Sequence, residues 1–367
     1  MPKPDTNNER VKRDYTRYLR EARGRNEKTI DKAAAAIAGF ESFTSGKDFK
    51  SFCSEQAESF KHHLCSRISK RTGKPLSYST VLHKLQDLRA FFRWLPTRQG
   101  YKSLSAGDAD YFNLSARETR IAYAPKEKRV PTMEEAIHAL RCAPATTDVD
   151  LRDRALVACT LLTGARDGAI ASLKLKHVDM VEGKLLQPAR EVNTKAAKTM
   201  ETCFFPVPAE VVQILSTWVH HLKLKGFGPE DPLFPSTCTG LVLGRFAAVG
   251  LSRSNWATTT PIRRIFKTAF ERAGLPYFNP HSFRSTLAVL GQQRCRTAEQ
   301  LKVWSQNLGH DNLLTTLHSY GTIGAARQRE IMRQFMTTAT ETPAVKIDLA
   351  MLKDAFELIF ERHGSSI

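Results

Sequence analysis

The sequence has no C-x-x-C pair, no apolar run of the roughly 18 residues that a membrane-spanning helix needs, and no apolar core in its N-terminal stretch MPKPDTNNERVKRD. These absences argue against a zinc cluster, a spanning helix and a secretory signal, and the expected location is the reducing cytoplasm, associated with the nucleoid. Its cysteines number seven, an odd count scattered from Cys53 to Cys295, which does not suit a disulfide framework. They read instead as small buried apolar residues. The sequence also lacks a G-x-x-x-x-G-K-[ST] loop, a clear carboxylate triad and any internal repeat. Neither ATP nor a metal or other cofactor is expected.

Acidic residues are scarce relative to basic ones: 37 Asp and Glu face 55 Lys and Arg, a net charge of +18 with a pI near 9.7. Such an excess draws a polyanion through a long-range, salt-screened field. At 367 residues the chain is long enough for two or three domains. Its 41% hydrophobic and 25% charged residues are those of a globular protein.

The first region, 1–115, reads as helices. Ile30, Ala33, Ile37 and Phe40 recur at helical spacing, as do Ala57, Phe60 and Leu64, then Val81, Leu85, Leu88, Phe92 and Leu95. Between the last set lie Lys84, Arg89 and Arg93, free to face outwards and therefore candidate DNA contacts. From Leu114 the periodicity lapses, so 116–130 is read as a linker. Thr132 with Glu135 then forms a capping box that opens a second domain, 131–338. In it KLLQPAR and TCFFPVP predict a small sheet among helices, and Ser236–Trp256 shows no period and reads as an irregular insertion.

Four passages of the second domain carry chemistry. In LLTGARDGAIASL an apolar helix ends at Gly164 and Arg166 follows. NTKAAKTMETCFFPVP holds Lys195 and Lys198 before an apolar strand. In NPHSFRSTLAVLG, with Asn279 as cap and Pro280 as first helical residue, His281 and Arg284 lie three apart on one face near a helix N-terminus, which favours an anion. In NLGHDNLLTTLHSYG, His310 follows a helix-ending glycine and Tyr320 lies ten positions on.

Over about residues 10–338 the sequence resembles the tyrosine recombinases, or phage integrases, most closely in TGAR, HSFR, LGH and SYG, which stand in the family's order and spacing. The resemblance implies a mainly α fold with a small β-sheet: an N-terminal helical, SAM-like core-binding domain and an α+β catalytic domain, closing as a clamp on double-stranded DNA. It implies site-specific cleavage and rejoining of DNA through a 3′-phosphotyrosine, for a mobile element. By position, Arg166 and Arg284 are the catalytic arginines, Lys198 the hairpin lysine in preference to Lys195, His281 and His310 the two histidines and Tyr320 the nucleophile. Where the family usually carries an acidic residue three positions after the first arginine, this chain has Ala169, and Asp167 or Asp179 could compensate. The alternatives are a type IB topoisomerase or telomere resolvase, and a non-catalytic DNA-binding protein that keeps the fold.

Strand exchange between two duplexes requires four active sites, so the resemblance implies a homotetramer on synapsed DNA. Residues 339–367 supply a linker with Pro343, then a stripe of Leu349, Leu352, Phe356, Ile359 and Phe360 with acidic residues available for the other face. That pattern predicts an amphipathic helix that docks either on a neighbouring subunit, which the linker is long enough to reach, or on its own catalytic domain.

Overall fold

The computed structural model describes residues 6–69, 72–124, 129–242, 244–310 and 329. The chain divides into two compact units, Met1–Pro125 and Lys126–Ile367. Tyr320 and the 339–367 segment lie outside the described residues.

In the first unit the apolar stripes become α1 (Thr6–Arg17), α2 (Glu27–Phe43), α3 (Ser54–Ser66) and α4 (Tyr78–Trp94). Asn26 and Ser77 start α2 and α4 by accepting from the backbone N–H three residues on. The predicted stripe residues are all buried, and all but Ile30 share one core. Aromatic side chains dominate it: Phe40 meets Phe60 and Phe92 edge-on at 5.2 and 5.1 Å, and Phe52 stacks on Phe92 at 3.7 Å. The first half of the expected linker is itself a helix, α5 (Ala116–Tyr123), which packs on α4. Periodicity missed it because the helix is short and buries only Ala122; its start lies in a capping box between Ser115 and Glu118.

In the second unit α6 (Met133–Cys142) begins at the predicted Thr132–Glu135 capping box. Then comes α7 (Asp148–Thr163), which is buried on every side from Ala155 to Thr163 and forms the spine of the core. The short α8 (Asp167–Ile170) leads to an antiparallel sheet of β1 (Val178–Asp179), β2 (Lys184–Gln187) and β3 (Met200–Cys203), in which Leu185 pairs with Val178 and Thr202, and Gln187 pairs with Met200. Both predicted strand segments are present, but β3 ends at Cys203, before the Pro206 and Pro208 that cannot donate to a ladder. After α9 (Ala209–Leu224), the stretch expected to be irregular is a β-hairpin, β4 (Thr237–Val242) with β5 (Arg245–Leu251). It escaped the sequence reading because only its root, at Leu251, packs on the core, and the exposed strands above it show no inward–outward alternation. Helices α10 (Thr260–Arg272), α11 (Ser282–Arg294) and α12 (Ala298–Asn307) complete the described unit.

The cysteine expectation is corrected: all seven are free, but Cys159 alone is fully buried, and Cys142, Cys203 and Cys238 are exposed. No helix among the described residues is long and apolar enough to cross a membrane.

Candidate active site

The site grows from the end of α7. Gly164 takes the left-handed conformation that stops the helix, φ 59°, and its N–H donates to Thr160 O at 2.8 Å. A side chain there would lie 3.0 Å from Leu308 and 3.2 Å from Leu287, so glycine lets α11 and the LGH turn approach the helix end. Arg166 follows as the residue flanking α8.

Arg284 sits on α11 and is 4% exposed. Its Nη1 donates to Gly164 O at 2.6 Å and its Nη2 to Leu308 O, so one guanidinium fastens TGAR and LGH together. Its Nε has no hydrogen-bond partner among the described residues. Burial, helped by the charge of Arg166, pushes its pKa down to about 9. It stays protonated at neutral pH, in a position that a nearby anion would stabilise.

The turn at His310 is held from the other side. Asn307 accepts from Cys203 N at 2.8 Å and donates to Cys203 O at 2.9 Å, joining α12 to β3. Gly309 (φ 68°) then leaves room for Met200, whose Cε a side chain at that position would meet at 2.5 Å. His310 is half-buried just past this turn.

Between these elements lies a small cleft whose wall includes Arg166, Ala169, Gln187, Lys195, Met200 and Arg284. Among the described residues its lining holds three cationic side chains and no carboxylate. The structure thus brings Arg166 and Arg284 together as expected but puts Lys195 in the wall, on a 3-10 turn (Lys195–Ala197) kept tight by Ala197 at φ 50°. Lys198 is exposed just beyond the turn and does not line the cleft. The backbone turns at Lys195–Ala197 before entering β3, so of the two lysines Lys195 is the one in the cleft wall.

Other expectations need correction. Helix α11 begins at Ser282 rather than at Pro280, which leaves exposed His281 as the residue flanking it; Asn279 still caps, accepting from Ser282 N at 3.2 Å. The two acidic neighbours have other partners. Asp167 accepts from Arg263 at 2.8 and 3.0 Å, and Asp179 accepts the N–H groups of Val181 and Glu182 in its own turn. In the first unit, Arg89 and Arg93 both bond Asp110, at 2.8 and 2.7 Å, tying the 3-10 helix Ala106–Phe112 to α4. Both arginines are thus engaged within the unit while staying partly exposed, and Lys84 is half-buried on α4. Gln187 and Thr194 also line the cleft and went unnoticed. Gln187 is turned inward by the register of β2 on β3, and Thr194 stands at the start of the Lys195–Ala197 turn.

Residues 131–324 match the Phage integrase family. The chain belongs to that family and is a tyrosine recombinase, an enzyme of DNA recombination. It is 24% identical over 321 residues to tyrosine recombinase XerC of Halalkalibacterium halodurans, covering 86% of this chain and 93% of that one. With the same protein of Natranaerobius thermophilus it shares 22% over 325 residues, 88% and 97% of the two chains. Among solved structures it resembles the XerH site-specific recombinase in a post-cleavage complex with difH substrate (TM-score 0.57, 17% identity, 88% of this chain and 84% of that one). It also resembles a lambda integrase tetramer on a Holliday junction (TM-score 0.55, 15% identity, 86% and 79%). At these identities the structures show the shared fold.

Proposed function

We propose that the cleft binds one phosphodiester of duplex DNA and that Tyr320 attacks it, with Arg166, Arg284, Lys195, His281 and His310 as the catalytic side chains. The observation that carries this reading is the pairing of Arg166 with a buried Arg284 in a cleft whose described lining holds no carboxylate. Two guanidiniums side by side are costly in a protein unless an anion comes between them. After its bonds to Gly164 and Leu308, Arg284 keeps its Nε–H and one N–H on each terminal nitrogen, enough to grip a non-bridging oxygen. Arg166 takes the other.

Tyr320 Oη attacks phosphorus, and its proton passes to His281. The bond from phosphorus to the 5′-oxygen breaks as Lys195 protonates the leaving oxygen, and His310 donates to a phosphate oxygen. The product, a 3′-phosphotyrosine and a free 5′-hydroxyl, keeps the energy of the broken bond, so a second 5′-hydroxyl can reverse the step. We extend this reading to strand exchange for a mobile element, by a homotetramer on two recombination sites in the nucleoid; a reversible covalent step supports it, since rejoining to a new partner needs no other energy source.

The test is a nicked suicide substrate that traps the covalent complex, mapped by mass spectrometry. The expected adduct is on Tyr320, absent in Tyr320→Phe and formed in EDTA without ATP. An adduct elsewhere, or a strict need for a divalent metal, would refute the assignment.

A further inference from the structure

From Pro232 to Phe270 the chain contains no Asp or Glu, the longest such run in a sequence that holds 37 of them, while it carries Arg245, Arg253, Arg263, Arg264 and Lys267. The β4–β5 hairpin lies in this run. Its strands are exposed until they reach the root at Gly250 and Leu251. Leu241 and Phe246 pair across the strands near the tip and are 69% and 84% exposed, with Val249 at 54%. Arg245 stands beside Phe246, exposed, and makes no ion pair among the described residues.

The root is firmly built. Buried Arg152 on α7 donates through Nη1 to Pro235 O and Thr237 Oγ1, both at 2.9 Å, and stacks over Trp256 at 4.7 Å. Trp256 N donates to Ala171 O at 3.3 Å, just past α8, the helix that Arg166 precedes. Ser236 bonds Ser252 and Ser254 across the hairpin's base. A stiff root with a bare apolar tip fits an element that meets something outside the unit, since an isolated two-stranded ribbon has little stability of its own.

We propose that this hairpin is a DNA-contacting ribbon, which sets Arg245 against a backbone phosphate and the Leu241–Phe246 pair against the bases of one groove. Charge decides the partner: Arg253, Arg263 and Lys267 are paired with Asp231, Asp167 and Glu271, but neither strand of the hairpin carries a carboxylate, and an exposed Arg245 on a chain of net charge +18 suits a polyanion. Shape agrees, because a two-stranded ribbon fits a DNA groove and apolar side chains such as Phe and Leu wedge between base steps. The contact would act beyond the cleft, by bending or unstacking the duplex beside the cleaved phosphate.

The test uses the full chain as Tyr320→Phe, so that only binding is read, on a mixed-sequence duplex. Benzoylphenylalanine in place of Phe246 is expected to crosslink to DNA on illumination. Phe246→Ala, or Leu241→Ala should the first not fold, is expected to weaken binding at least about fivefold, the low end for an aromatic–base contact. Arg245→Gln is expected to lower the log–log salt slope by about one. Crosslinks that run to another protein chain, or unchanged affinity and slope, would overturn the proposal. Failure here leaves the Tyr320 adduct unaffected, so the two readings fall separately.

Discussion

The guanidinium of Arg284 donates to the carbonyl oxygen of Gly164 at 2.6 Å, across 120 positions of sequence. The bond ties the left-handed end of α7 to α11, so that the backbone before Arg166 and the side chain of Arg284 cannot move independently. Gly164→Ala would strain the φ of 59° and press a methyl group on Leu308 and Leu287. We expect a loss of about 1–3 kcal/mol, as for other overpacked sites, and a larger fall in cleavage than in DNA binding. Denaturant unfolding and suicide-substrate cleavage measure the two; wild-type stability with wild-type cleavage would contradict it.

The cleft holds Lys195 and not Lys198. Lys195→Ala should lose cleavage by about 10²-fold or more, the usual effect of removing a general acid. It should regain cleavage on a 5′-bridging phosphorothiolate, whose sulfur leaves without a proton. Lys198→Ala should cleave the ordinary substrate nearly normally. Rescue confined to Lys198→Ala would restore the assignment made from counted spacing.

His177 is 2% exposed, and its Nδ1 accepts from Lys174 N at 3.0 Å, which requires the neutral ring. Its Nε2 lies 3.5 Å from Glu191, too long for a good hydrogen bond. Burial outweighs that carboxylate and, with help from Lys176 and Lys174, holds the pKa below the usual 6.5. The unfolded chain therefore takes up a proton that the folded one resists. Stability falls as pH drops through 6.5 towards the lower folded value. Glu191 and Glu230 face the same Lys174 and Lys176, which keep both carboxylates ionised across that window; Glu230 is held at about 2. Urea unfolding at roughly pH 7.5 and 5.5, either side of the imidazole value, should show a decline that His177→Asn flattens. An equal decline in the variant would dismiss His177 as its source.

Deleting 345–367 removes the apolar stripe from Leu349 to Phe360. If that stripe docks on a neighbouring subunit, single-site DNA binding should remain while cooperative synapsis and full recombination disappear. An isolated helix of this length is marginal in water and gains its stability from docking. Native mass spectrometry of paired-site complexes provides the count; an unchanged tetramer would mean that the stripe packs on its own subunit.

Much of this protein is local and hence readable in order along the chain. The periodic stripes from Ile30 to Leu95, the Thr132–Glu135 box and the stop at Gly164 each depend on residues within a few positions of one another, and the structure has them where the spacing placed them. The order TGAR, HSFR, LGH likewise identified the family. Tertiary structure decided whatever depends on distant partners. Lys195 reaches the cleft because a tight turn carries Lys198 away from it, Asp167 is occupied by Arg263, and Arg89 and Arg93 are engaged by Asp110. The β4–β5 hairpin was hidden for the opposite reason: beyond its root at Leu251 it has no buried face, and without one a strand writes no alternation into its sequence.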